Sequence, residues 1–136
     1  MSPTEIRVSA VVLTDNEGRV LLVRKRGTSA LFNPGGKPEP GEAPVACAVR
    51  EVAEELQIEL DPSRLVPLGR LRAPAANETD TVVVADVFLA PEPLDHQPTP
   101  RAEIAEAVFV DPSRPEPHWA PLFTAEILPL VTRRGG

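Results

Sequence analysis

The chain has 136 residues, with 20 acidic against 14 basic side chains, a formal net charge of −6 and 42 % apolar residues. Its one cysteine, Cys47, excludes an internal disulfide and a multi-cysteine zinc site, and no apolar run approaches the about eighteen residues of a membrane helix. The acidic balance argues against binding a nucleic-acid polymer, which calls for a basic face, but leaves a nucleotide-sized ligand open if a cation mediates.

Seventeen residues are proline, well over the usual share of about 5 %. Proline is poorly tolerated inside helices and central strands, so the proline-free stretches should hold the regular structure. In chain order, Met1-Ser2-Pro3-Thr4-Glu5 lacks the basic-then-apolar pattern of a leader, so a cytoplasmic protein without a membrane segment is expected. Residues 6–13 and 19–23 are rich in β-branched side chains and flank the polar turn 14–18, which predicts a β-hairpin. A Gly- and Pro-rich loop follows, Asn33-Pro34-Gly35-Gly36-Lys37-Pro38-Glu39-Pro40-Gly41-Glu42. Residues 44–57 suit a helix, with Pro44 in its first turn. Residues 81–89 predict a buried strand, 91–100 a surface loop, 107–110 a short strand and 122–128 a short C-terminal helix. Strands on both sides of a helix, with no repeat and no linker, indicate a single domain of α/β (α+β) class over residues 1–136.

The predicted helix carries the chemistry. Val45, Val49, Val52 and Leu56 form a narrow apolar stripe, and Glu51, Glu54 and Glu55 cluster on another side. Most charged helix faces are simply solvated. Here, however, Glu51 and Glu55 are a like-charge i,i+4 pair, and Arg50 compensates only Glu54. Carboxylates about 6 Å apart repel by roughly 3 kcal/mol per pair at an effective dielectric near 20. A hard divalent cation such as Mg²⁺ or Mn²⁺ turns that repulsion into ligation. Beside a Gly-Gly loop, where backbone approaches a ligand closely, the cluster suits metal-assisted phosphate chemistry.

Gly36, five residues, Glu42, seven residues, then Arg50-Glu51-Val52-Ala53-Glu54-Glu55-Leu56-Gln57-Ile58 resembles the Nudix box, G-x5-E-x7-R-E-U-x-E-E-x-G-U, with U an apolar residue. The match covers residues 36–58 and departs at one position, where Gln57 replaces glycine. Pro34-Gly35 also resembles the family's usual entry to the box. At a helix end that glycine takes the left-handed conformation, so Gln57 either accepts strain of about 1 kcal/mol or lets the helix run on to Asp61-Pro62.

The resemblance implies a Nudix-type α/β/α sandwich with a mixed β-sheet. It also implies a MutT-like hydrolase that uses Mg²⁺ or Mn²⁺ to cleave a nucleoside diphosphate linked to another moiety. Glu51, Glu54 and Glu55, with the backbone carbonyl of Gly35, would be the metal ligands, and Arg50 would orient the glutamates. Glu42 would support the loop or bind a second metal through water. The general base would be a box glutamate or a later carboxylate, of which Glu103 is the first candidate and Glu106 the second. Arg24 and Arg26, at the end of the second strand, are candidates for holding phosphate, and Phe32 or Trp119 for stacking a base. A homodimer is also consistent with the family.

The substrate is less legible. ADP-ribose pyrophosphatases of the family often carry a proline about sixteen residues past the box, where this chain has Pro74. MutT-like enzymes that read oxidised guanine use a late asparagine, and the only asparagines here are Asn16, Asn33 and Asn77. The contrasting class is a Nudix-fold nucleotide-binding or regulatory module with little turnover. Cys47, one turn before Glu51, reads as a small apolar residue. No P-loop spacing, dinucleotide fingerprint or nucleophile elbow is present.

Overall fold

A computed structural model describes residues 2–76 and 78–135, so Met1, Asn77 and Gly136 lie outside the described residues. Among the described residues, three strands precede a helix and three follow it, in the order β1 (Thr4–Val12), β2 (Val20–Lys25), β3 (Gly35–Gly36), α1 (Pro44–Leu56), β4 (Val66–Pro74), β5 (Thr81–Leu89) and β6 (Ile104–Val110). A π-helical segment, Leu122–Ile127, then runs into α2 (Leu128–Gly135).

The strands form a four-stranded mixed sheet, β3-β1-β5-β4, and a two-stranded sheet, β2-β6. β1 runs parallel to β5 and antiparallel to β3. The second half of β1, the start of β2 and much of β5 are buried on both faces, which is why they read as continuous apolar runs. Ala10, Val12, Val20, Leu22, Ala85 and Val87 face the C-terminal helix through Phe123 and Ile127. The alternate residues Val11, Leu13, Leu21, Val23 and Phe88 face α1 through Ala48, Val52 and Leu56. Helices therefore cover the sheets from two sides, as an α/β/α sandwich requires. Among the described residues no helix is long and apolar enough to cross a membrane.

Three expectations need correction. The turn at 14–18 forms, with the Asp15 carboxylate accepting from the Glu17 and Arg19 amides, but its flanking strands do not make a hairpin ladder. β1 has two edges, and β3 and β5 occupy both, so β2 leaves after the Thr14–Val20 bridge and pairs with β6. β4 was not expected, because Pro67 and Pro74 fall in it. It is a sheet edge with a bulge between Pro67 and Gly69, the setting in which strand prolines are tolerated. The C-terminal helix is longer than expected and opens with π geometry, the Leu128 amide donating to the Phe123 carbonyl. Pro129 follows at once and has no N–H with which to continue a regular ladder.

The end of α1 resolves the question posed by Gln57. The helix stops at Leu56, and Gln57 takes the left-handed conformation (φ 55°, ψ 36°) while donating its amide to the Ala53 carbonyl. The chain keeps the turn that glycine would make and accepts the strain of a Cβ there. Gln57→Gly should therefore raise unfolding stability by about 0.5–1 kcal/mol, measured by urea titration, with the larger unfolded-state entropy of glycine offsetting part of the relief.

Candidate active site

The site is built where α1 packs against β3. A Cβ on Gly35 would run into the Ser9 carbonyl oxygen, and one on Gly36 would occupy the place of the Glu51 carboxylate. Gly35 is further held at φ +155°, which side chains rarely adopt. The two missing side chains thus let β3 lie on β1 and let the glutamates of α1 reach the loop backbone. Ser9 clamps the helix start by donating to the Pro44 carbonyl. The Cys47 thiol points at the Gly36 carbonyl, 3.3 Å away.

Glu55 is the unusual residue. Only 1 % of it is exposed; Oε1 accepts from the Gly35 amide at 3.2 Å and Oε2 has no partner. Burial, and then the charge of Glu51, push its carboxyl up to about 8. Burial also raises Glu51. A carboxylate is rarely buried without a counter-charge, because desolvation outweighs one neutral hydrogen bond.

Arg50 organises the outer half. Its Nε and Nη2 grip both oxygens of Glu42 at 2.8 Å, and Nη1 reaches Glu51 at 3.0 Å and Glu54 at 3.1 Å. Nη2 also donates to the Lys37 carbonyl, which ties the loop to the helix. The Arg50 guanidinium and the Glu39 amide hold the Glu42 carboxyl down to about 2, and Glu42 in turn raises Arg50. Adding Glu39 at 3.7 Å, one guanidinium serves four carboxylates. The cluster is left short of positive charge. Among the described residues no three His, Cys, Asp or Glu side chains are drawn into one metal cage; Glu51 and Glu54 are instead tied to Arg50. The donor set nevertheless suits a hard cation, with the spare oxygen of buried Glu55 facing a deficit of charge.

A cavity of about 440 Å³ opens from Glu51 between the four-stranded sheet and the C-terminal helix. Ile6, Val8 and Val83 supply one wall and Leu122 and Phe123 the other, with Lys25, Lys37 and Glu103 among its polar lining. The residue-3-to-131 segment of the chain matches the model for the NUDIX domain. The chain belongs to the NUDIX family. It is 32 % identical to an isopentenyl-diphosphate Δ-isomerase of Streptomyces coelicolor, over 92 % of its own length and 67 % of that protein's. A protein of the same name from Streptomyces griseus is 34 % identical, over 76 % of this chain and 56 % of the relative. The chain thus spans between about half and two thirds of these longer relatives. Among solved structures, a MutT protein from Methanosarcina mazei superposes with a TM-score of 0.81 at 19 % identity, over 100 % of this chain and 99 % of the other. That likeness establishes the mixed α+β Nudix fold. Family membership supports the general class expected of it, a Nudix pyrophosphohydrolase.

Of the residues singled out from sequence, Glu42, Arg50, Glu51 and Glu54 are joined by hydrogen bonds, and Glu55 sits beneath Glu51 against Gly35. Phe32 and Glu103 line the cavity. Glu103 lies just before β6 with Lys25 Nζ 3.9 Å from it. Pro74 also lines the cavity. Arg24 does not join them: it is turned to the other side of the sheet, where it holds Glu106 and the Thr28 carbonyl. Arg26 is exposed and is not part of the cavity wall. Trp119 is buried against Phe123. Sequence reasoning missed Lys25, which the alternation of β2 turns to the face opposite Arg24 and toward the Phe32 ring. It also missed Lys37 and Asn33, both inside the glycine-rich segment already picked out.

Without divalent cation, folded Glu55 keeps a proton that the unfolded chain, with an ordinary carboxyl near 4.5, gives up. Its stabilising contribution is complete below about pH 4.5 and is lost as pH rises toward about 8. Thermal midpoints in chelator should therefore fall across that window, and Glu55→Gln should flatten the fall. Added Mg²⁺ should stabilise the wild type more at pH 8 than at pH 6, because ligation needs the carboxylate.

Proposed function

We propose that residues 1–136 act as one hydrolase domain that uses Mg²⁺ or Mn²⁺ to cleave the pyrophosphate linkage of a nucleoside diphosphate joined to another moiety. Nucleoside triphosphates, ADP-ribose and nucleotide sugars are the substrate types, and the partner is this small molecule rather than a polymer or a membrane. The observation that carries the reading is buried Glu55, with one oxygen on the Gly35 amide and the other free, beneath Glu51 in a cluster short of positive charge.

In this reading Glu51, Glu54, Glu55 and the Gly35 carbonyl hold the cation. When bound, it would supply positive charge against the phosphates and Lewis-acid activation of water. Arg50 fixes the rotamers of Glu51 and Glu54 and, through Glu42 and the Lys37 carbonyl, the loop that carries Gly35. Lys25 and Lys37 attract the phosphates at the cavity mouth, taking the role first sought in Arg24 and Arg26. Glu103, which lines the cavity beside Lys25, is assigned as the general base. Cys47 takes no part as a nucleophile, since burial raises its thiol.

The curated relatives favour a second reading, isomerisation of isopentenyl diphosphate. That reaction adds a proton at one carbon and removes one at another, and the apolar walls of the cavity would suit a hydrocarbon chain. A panel of nucleotides, ADP-ribose, nucleotide sugars and isopentenyl diphosphate, incubated with Mg²⁺ or Mn²⁺ and read by product mass, separates the two. Hydrolysis products from a nucleotide are expected; an allylic diphosphate isomer as the sole product would replace this reading with the other. Glu54→Gln and Glu55→Gln should each lower kcat/KM by at least about 10²-fold, while circular dichroism shows the fold retained. Near-wild-type turnover in both variants would remove the glutamates from the chemistry.

A further inference from the structure

Among the described residues, Gln57, Asp80 and Ala102 hold a positive φ without being glycine. Gln57 ends α1, and Asp80 has the short polar side chain that tolerates the left-handed region. Ala102 (φ 57°) has no helix end to close and no polar side chain to help it. Strain of this kind persists where the surrounding structure over-determines it, and such places cluster at functional sites.

Ala102 is pinned from both sides. Ahead of it, the Arg101 amide donates to the Glu55 carbonyl at the end of α1, at 2.8 Å. Behind it, the Glu103 carbonyl accepts from the Arg26 amide just past β2, at 2.9 Å. The Ile104 amide donates to the Arg101 carbonyl at 3.0 Å and closes the turn. A turn closed in this way, with positive φ at its first central residue and not at its second, ordinarily takes glycine at the first. The start of β6 is irregular as well, since Arg24 pairs with Glu106 but Lys25 pairs with Ile104. The skipped residue, Ala105, lets Ile104 enter the core of Val23 and Leu56 while Glu106 meets Arg24 on the other side. Glu103 thus sits between two departures from regular backbone, and it lines the cavity with Lys25 and Glu51.

We propose that Ala102 is a positioning residue: its left-handed backbone keeps the 101–104 turn closed, and the closed turn holds the Glu103 carboxylate in the cavity wall, in fixed relation to α1. The inference rests on the hydrolase reading, with Glu103 as general base, and adds the device that places that base. The link to the candidate cation ligands runs through backbone alone, because the Arg101 amide holds the carbonyl of Glu55 itself. A base must lie within hydrogen-bond reach of the proton it takes, so displacing it slows the chemical step more than it weakens substrate binding.

The test uses the Mg²⁺-loaded full chain and the fastest hydrolysed of the nucleoside triphosphates, ADP-ribose and nucleotide sugars. Glycine and asparagine adopt positive φ readily, whereas valine and threonine, branched at Cβ, do not. Ala102→Gly and Ala102→Asn should keep kcat within about threefold of the wild type. Ala102→Val should lower kcat by roughly 10-fold or more and change KM by less than about twofold. Ala102→Thr should follow it, and decides the matter if Ala102→Val does not fold. In a Glu103→Gln background, Ala102→Val should cost less than about twofold, because a base already removed cannot be misplaced. A general structural defect would instead multiply with Glu103→Gln. Amide hydrogen exchange reads the turn without turnover: at Arg26, Arg101 and Ile104 it should quicken about tenfold in Ala102→Val and hold in Ala102→Gly.

Equal kcat across the Ala102 series, unchanged exchange in Ala102→Val, or a loss that multiplies in the Glu103→Gln background would overturn the proposal and leave the hydrolase reading standing. Wild-type turnover by Glu103→Gln would remove the base and the positioning role together, without touching the glutamates of α1. No hydrolysis of any compound by the wild type would remove the reading itself, and the proposal with it.

Discussion

The whole arrangement depends on two absent side chains. Gly35 and Gly36 let a two-residue strand lie flush on β1 and let α1 come down close enough for Glu55 to meet the Gly35 amide and Glu51 to cover Gly36. With any Cβ at those positions the helix would stand off and the two carboxylates would reach water. Close approach brings about their burial, burial raises their proton affinity, and the resulting demand for positive charge is what makes the place a candidate cation site.

Arg50 meets part of that demand and sets the geometry. A lysine could not replace it, because two parallel N–H groups grip Glu42 while a third nitrogen spans Glu51 and Glu54. The same side chain ties the loop to the helix through the Lys37 carbonyl. The charge site and the loop backbone are therefore one unit, with the cavity floor formed separately by the sheet and the C-terminal helix. Charged side chains, Glu51, Lys25 and Lys37, and apolar ones, Ile6, Val8 and Val83, line the same cavity.

The acidic balance also takes on a local meaning. Four of the 20 acids crowd one arginine, Glu51 among them also lining the cavity, and a further one, Glu55, is buried. Net charge alone would suggest a surface that repels phosphates, whereas Lys25 and Lys37 project toward the same cavity.

Local rules were enough to read α1, its box of glutamates, β5 and the mixed α/β character, because helix periodicity, proline placement and a fixed spacing act within a few residues. The fate of Gln57 was legible as a choice between two outcomes, and the fold selected the strained one. What needed the tertiary structure was every pairing between distant segments. β1 could not pair with β2 because two strands far along the chain, or pinned by Gly35, had already taken its edges. β4 stayed hidden because an edge strand tolerates the prolines that a central strand would not. Which face of β2 meets the cavity, and so whether Arg24 or Lys25 does, followed from the sheet it joined. The sequence by itself determined which carboxylates cluster, since i, i+3 and i+4 neighbours share a helix face. Only the tertiary structure decided that Glu55 and Asn33 are buried with unmet polar atoms, because burial depends on what packs over a residue from elsewhere in the chain.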